Sequence, residues 1–370
     1  MVLDVRHGLI VATAYSGCEV RVEPVRSPLT APPSDDPGEP RLLEAILAEI
    51  DERGPITFAR FMERALYEPG LGYYATSRER TTRSGDFLTA PELHPIFGQT
   101  IARQIEGMRG RLGNPIDFMV REYGAGRGTL SRGLPAGIGY EPIEFDQPRP
   151  ARKITGVVLA NEFLDALPVH RVVGRDGGLR ELQVGRSEGR LTEVEAEPSD
   201  PRLAEWFDHR RIRLAEGQRA EVNLAMLDWL RDIGRDLERG YVLIFDYGLP
   251  ATELYGPERA TGTVRAFRGQ HVSSDVLGAV GHQDITAHVD LDALEGGARR
   301  AGLELIQRTH QAQFLLANGL DEVYRTLRDA AADWESALSL RAAVARLLDP
   351  RGMGGFAVEI LGRDAPSLNS

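Results

Sequence analysis

The segment Glu122-Tyr-Gly124-Ala-Gly126-Arg127-Gly128-Thr-Leu is the part of this 370-residue chain best suited to hold a small molecule. It follows directly on an apolar run, residues 116–123, that reads as a β-strand. Glycines at such a turn let the backbone bend sharply and let a ligand approach with no Cβ in the way. In an α/β sheet the turn lies at the carboxyl edge, where ligands bind. The dinucleotide pattern G-x-G-x-x-G would need a glycine at position 129, where this chain has Thr129. A nucleoside cofactor also needs an acid at the end of the next strand, to accept both ribose hydroxyls. Glu141 and Glu144 compete for that role, and Glu144, between Ile143 and Phe145 at the strand's expected end, is preferred.

Two more strand ends carry polar residues that should open onto the same crevice. One is Leu159-Ala-Asn161-Glu162-Phe-Leu-Asp165-Ala-Leu-Pro168, and the other is Asp246-Tyr247-Gly248. Upstream, a Gly- and Tyr-rich loop of about 25 residues ends in Gly85-Asp86-Phe-Leu-Thr89-Ala-Pro-Glu92. There Thr89 and Glu92 have the spacing of a helix capping box. Tyr73 and Tyr74 in this loop are equally suited to wall a site or to pack. Arg265 and His271 are candidates for binding an acidic partner segment or for bracing the site. His282, Asp284 and His288 match no metal-binding spacing, so no metal site is expected.

The elements that must position these residues are legible in the periodicity. Apolar residues at helical spacing predict helices from about Arg41, over 57–67 and over 96–108, and longer ones over 218–239 and 321–348. Strands are expected at 116–123, 140–145, 154–160, 241–246, 303–308 and 356–361. The alternation argues for a mostly parallel sheet covered on both faces. Residues 1–40 carry six prolines between positions 24 and 40 and read as a disordered or extended lead. The remainder divides into a helical region with the loop (41–115), an α/β domain (116–362) with a small β/helical insertion at about 169–215, and a tail (363–370). The chain is acidic, with 55 Asp and Glu against 44 Lys and Arg, which argues against a nucleic-acid partner. A single cysteine, Cys18, excludes an internal disulfide and thiolate-rich metal sites. No run of 18 uncharged apolar residues occurs, so no membrane-spanning helix is expected.

The E-x-G-x-G-x-G spacing is similar to the first motif of S-adenosylmethionine-dependent methyltransferases. Several segments together resemble the MidA-type (DUF185) class I methyltransferases, whose mitochondrial members are complex I assembly factors that methylate arginine. They are ITFARFMERALYEPGLGYY, GDFLTAPELHPIFG, EYGAGRGTL, VVLANEFLDALPVHR, FDYG, GTVRAFRGQHV, DITAHVDLDAL and QFLLANG, spanning about residues 55–319. The resemblance implies a Rossmann-like methyltransferase sheet and S-adenosyl-L-methionine as donor. Glu122, Gly124, Gly126, Arg127, Gly128, Glu144 and Asn161 are then the expected cofactor contacts. Thr89 and Asp86 join them at the carboxylate and ammonium of the methionine end.

The resemblance also implies a protein arginine as acceptor, on a respiratory-complex subunit or its bacterial counterpart. Guanidinium stays protonated in water, so carboxylates must hold its plane and localise its charge. Glu162 and Asp165 are the candidates, with Asp246 as a further carboxylate and Glu162 as the first candidate for general base. Two alternatives keep the cofactor: a small-molecule or other acceptor in a bacterial pathway, and a non-catalytic assembly factor. A homodimer is left open, and the expected location is the bacterial cytoplasm, or the mitochondrion if the source is eukaryotic.

Overall fold

The structure, a computed structural model, describes residues 38–76, 89–145, 150–268 and 271–368, together with Asp36, Gln147 and the backbone of an antiparallel hairpin, Val2–Arg6 with Leu9–Thr13. The expected extended lead otherwise lies outside the described residues. Helix α1 (Pro40–Arg53) opens on a proline, which lacks only a donor the first turn would leave unpaired anyway. Helix α2 (Phe58–Tyr67) is capped by the Thr57 side chain, which accepts the Arg60 N–H at 3.1 Å. Helix α3 (Ile96–Arg111) lies against the central sheet.

Strands β1 (Phe118–Tyr123), β2 (Gly139–Ile143) and β3 (Ile154–Asn161) come next in the chain. Only a 3-10 turn, Leu130–Gly133, lies between β1 and β2. An inserted sheet of β4 (His170–Arg175), β5 (Gly178–Ser187), β6 (Arg190–Ala196) and β7 (Arg219–Val222) follows, and Ile56–Thr57 pairs onto it. Helix α4 (Leu224–Asp236) leads into β8 (Leu237–Asp246). A three-stranded sheet of β9 (Arg265–Arg268), β10 (His271–Ser273) and β11 (Asp284–Thr286) precedes α5 (Leu291–Arg300) and β12 (Glu304–His310). Helices α6 (Leu320–Asp329) and α7 (Trp334–Leu348) and strand β13 (Ala357–Arg363) complete the fold.

The central sheet has the order β12-β13-β8-β3-β1-β2. Strands β2, β1, β3 and β8 run parallel, and β13 is antiparallel to both neighbours. This is the α/β, Rossmann-like arrangement expected. Along β8, Tyr241, Leu243 and Phe245 enter one core with Ile96, Phe97 and Leu347, while Val242 and Ile244 enter the other with Trp229, Leu230 and Leu294. Successive side chains of a strand point to opposite faces, so a parallel strand buried on both must be apolar throughout. The register pairs Tyr123 with Ile143 and Ala160, and Phe245 with Asn161. The residues after β1, β2, β3 and β8 therefore meet at one edge.

Three boundaries differ from those read in the sequence. The helix expected over 218–239 is strand β7, a cap at Asn223 and the shorter α4, because Asn223 accepts the Met226 N–H at 2.8 Å and β7 pairs with β4. The helix expected over 321–348 breaks before Asp333, whose carboxylate caps α7 through the Ser336 N–H at 2.8 Å. The insertion's sheet continues past residue 215 to Val222.

Gly156 in β3 lies so close to β1 that a Cβ would overlap the Met119 carbonyl. Gly156→Ala should lower stability by about 1–3 kcal/mol. The expected reading is a lower urea midpoint with an unchanged slope.

Candidate active site

A cavity of about 620 Å³ opens at the carboxyl edge. One wall is the Gly-rich turn, where Gly124, Gly126 and Gly128 all have left-handed φ, at 66°, 55° and 62°. A Cβ on Gly124 would meet the Phe163 ring at 2.9 Å. At Gly126 such a Cβ would meet no atom within 4 Å among the described residues beyond its chain neighbours, so the turn conformation and the open cavity, more than a clash, call for glycine. Arg127 and Thr129 line the same wall.

The two acids weighed for the second strand have different surroundings. Glu141 pairs with the buried Arg121 at 2.7 Å and with Arg152 at 2.9 Å. Glu144 lines the cavity, and its Oε1 accepts the Gly126 N–H at 2.8 Å, which ties the strand end to the Gly-rich turn. Glu122 also lines the cavity. Burial pushes its carboxyl up to about 7, against the opposing hydrogen bond donated by the Tyr140 hydroxyl at 2.6 Å.

At the end of β3, Asn161 and Glu162 face the cavity. Glu162 has φ of 50°, an uncommon conformation for a side chain of its size. Its Oε1 accepts the Ala90 N–H at 3.1 Å and the Asn161 amide at 3.2 Å. Its Oε2 is shut off from solvent and has no hydrogen-bond partner among the described residues. Burial pushes this carboxyl up to about 8, and the neighbouring Asp246 and Glu92 charges add to the rise. The bond from Ala90 places the Thr89–Glu92 segment on the opposite wall. Thr89 is at the N-terminus of the short helix Ala90–Leu93 but makes no side-chain capping bond, so the expected capping box is not formed. Asp86 lies outside the described residues.

Asp246 and Asp165 are placed differently from expectation. Asp246 does not line the cavity. Its Oδ2 accepts the N–H groups of Phe163, Leu164 and Asp165 at 3.2, 2.7 and 3.3 Å, and its Oδ1 accepts that of Tyr247 at 2.8 Å. It is a turn-holding carboxylate rather than a substrate contact, and burial pushes it up to about 7. Asp165 also lies behind the wall, because the turn held by Asp246 carries it inward. Its Oδ1 is buried without a hydrogen-bond partner among the described residues, and burial beside Asp246 and Asp284 raises its pKa well above the usual value.

The carboxylate that faces the cavity instead is Asp284, in β11. It accepts the Tyr74 hydroxyl at 2.8 Å. Tyr74 stacks on Tyr67, which stacks on Phe145 at 3.9 Å, forming an aromatic wall. In the sequence Asp284 stands in the rejected metal pattern and opens the segment DITAHVDLDAL, with no role in the site assigned to it, and Tyr67 and Phe145 are not singled out. His282 contacts Asp36 at 3.3 Å, and His288 is half-buried, with its pKa lowered to about 4 by desolvation. No metal-holding group occurs among the described residues. Among the described residues, five carboxylates (Glu92, Glu122, Glu144, Glu162, Asp284) and one guanidinium (Arg127) line the cavity, a balance that favours cationic ligands.

A family model described as "Putative S-adenosyl-L-methionine-dependent methyltransferase" matches residues 137–309. A solved structure from Burkholderia thailandensis, bound to S-adenosyl-homocysteine, is 30% identical with a TM-score of 0.81, over 92% of this chain and 96% of that one. The chain belongs to the MidA-type (DUF185) family of S-adenosyl-L-methionine-dependent methyltransferases. Protein arginine methyltransferase NDUFAF7 of Rattus norvegicus, a mitochondrial protein, is 28% identical over 85% of this chain and 82% of its own length. The Drosophila melanogaster homolog is 26% identical over 83% and 84%. The cavity suits the methyltransferase cofactor: a Cβ-free turn, a carboxylate beside it and an acidic lining for a sulfonium and an ammonium.

Gly126→Val should weaken S-adenosyl-L-methionine binding at least about tenfold, through backbone strain and a side chain intruding on the cavity. Unchanged affinity by calorimetry would mean that the cofactor lies elsewhere. Glu162 also makes a stability prediction. Its carboxyl is protonated in the folded cofactor-free protein up to about pH 8, but in the unfolded chain only to about 4.5. The stability present below pH 4.5 is therefore lost progressively as pH rises to 8. Glu162→Gln should flatten that decline, seen as a smaller fall in urea midpoint between pH 5 and pH 8.

Proposed function

We propose that this methyltransferase transfers a methyl group to an arginine side chain of a protein, with a respiratory-complex subunit as the favoured substrate. The observation that carries the reading is the uncompensated acidity of the acceptor end. Glu162 Oε2 is an acceptor without a hydrogen-bond partner among the described residues, and Asp284 lines the same cavity. Leaving such a group unpaired costs about 1–3 kcal/mol, which a multi-donor cation would recover. A planar guanidinium supplies five donors and a fixed charge, whereas a neutral amide or hydroxyl does neither. The relatives named protein arginine methyltransferases support the same acceptor, and the family resemblance supports the respiratory-complex link.

Bound S-adenosyl-L-methionine supplies an electrophilic methyl on a sulfonium, a leaving group that needs little acid–base assistance. The chain's own residues then act mainly by positioning. In this reading Glu144 accepts ribose hydroxyls, and the Gly124–Gly128 turn passes beneath the nucleoside. Thr89, Arg127 and backbone N–H groups near the short helix are available to the methionine carboxylate. Glu162 holds the guanidinium, with Asn161 fixing its other oxygen, and accepts the proton released after transfer. Asp284 and the Tyr74 hydroxyl orient the acceptor from the opposite side. Their aromatic neighbours Tyr67 and Phe145 exclude water from the reacting centre.

Tritiated-methyl labelling of a cell lysate, followed by mass spectrometry of the labelled band, tests the acceptor. Label on arginine of one protein is the expected outcome, whereas label confined to small metabolites would establish the small-molecule alternative. Glu162→Gln should keep cofactor affinity within about threefold and lose at least about a hundredfold in methyl transfer, since an ionised hold on the guanidinium is gone. Full activity in that variant would remove Glu162 from the mechanism.

A further inference from the structure

A second cavity, of about 430 Å³, lies between the inserted sheet and the β9–β10 hairpin. Its character is opposite to that of the first. Arg171, Arg219 and Arg265 line it, with hydroxyls from Thr261, Ser273 and Ser274. Arg171 is buried and held over the Phe58 ring, 5.1 Å from its centroid. Arg171 and Arg219 each give one terminal nitrogen to Glu193, and Arg171 Nε lies 3.7 Å from Glu221 without a hydrogen bond. Arg265 donates one nitrogen to the carbonyls of Val264 (2.7 Å) and Gly262 (3.5 Å). The second terminal nitrogen of each guanidinium has no protein partner among the described residues.

Glu221, the other carboxylate here, already accepts the Thr263 N–H and hydroxyl at 2.7 and 3.0 Å. Among the described residues three arginines and no carboxylate line this cavity, in an otherwise acidic protein. Guanidinium forks match the spacing of carboxylate and phosphoryl oxygens, and neighbouring hydroxyls extend the match.

We infer that this second cavity binds a multi-oxygen anion, a phosphoryl or carboxylate group, through Arg171, Arg219 and Arg265. The group belongs either to a free small molecule or to an acidic segment of a bound polypeptide, and the two sources are separable. Calorimetric titration of the full chain at constant ionic strength, with inorganic phosphate and separately with a hexaglutamate peptide, tests the site. Saturable binding of at least one is expected. Binding of phosphate alone assigns a free anion, and peptide binding far tighter than phosphate assigns an acidic segment. Arg265→Gln should weaken the binding at least about tenfold, with S-adenosyl-L-methionine affinity unchanged as proof of fold. Arg219→Gln, at a partly exposed side chain, provides the second test with the same expectation. No binding of either probe, or wild-type affinity in both variants, would overturn the inference.

Discussion

Asp246 ends β8 with its side chain buried, and its Oδ2 takes the N–H groups of three successive residues in the turn after β3. Those three donors would otherwise be left unpaired in a buried turn, at about 1–3 kcal/mol apiece. The capture sets where the turn goes. It puts Phe163 under Gly124, draws Asp165 inward and leaves Glu162 projecting into the cavity in a left-handed conformation. A strained residue of that kind persists only where its surroundings over-determine it. Here the constraints are the Phe245 carbonyl, which accepts the Glu162 N–H at 2.8 Å, and the Ala90 N–H, which holds its carboxylate.

From that turn the two walls of the site follow. Ala90 brings in the segment that precedes α3, so one hydrogen bond joins the N-terminal region to the sheet edge. Glu144 does the equivalent for β2 by accepting the Gly126 N–H. Glu162 and Glu144 thus each have one oxygen committed to a backbone N–H. Such anchoring lets a charged side chain act without first losing much conformational freedom.

The electrostatic consequence is a divided surface. Burial and mutual repulsion push Glu122, Glu162, Asp165 and Asp246 toward their protonated forms. A cationic ligand reverses that tendency, so its binding and the ionisation of the lining are linked. The arginine-lined cavity beside β4 and β7 presents the opposite sign. An acidic net charge summed over the whole chain conceals both.

Much of the fold was legible because periodicity is a local property. All six strands of the central sheet could be placed from apolar runs, and the Gly-rich turn was recognisable because left-handed φ and close approach select glycine at fixed spacing. The helix limits at Asn223 and Asp333 were not legible, since capping by those side chains depends on the backbone around them. The carboxylates divide in the same way. Residue type and strand-end position were enough to mark Glu144 and Glu162 as candidates. That Glu141 belongs to Arg121, that Asp246 holds a turn, and that Asp284 faces the cavity from a strand more than a hundred residues away was decided only by tertiary structure. A carboxylate's role depends on which donors surround it, and those donors come from elements distant in the chain.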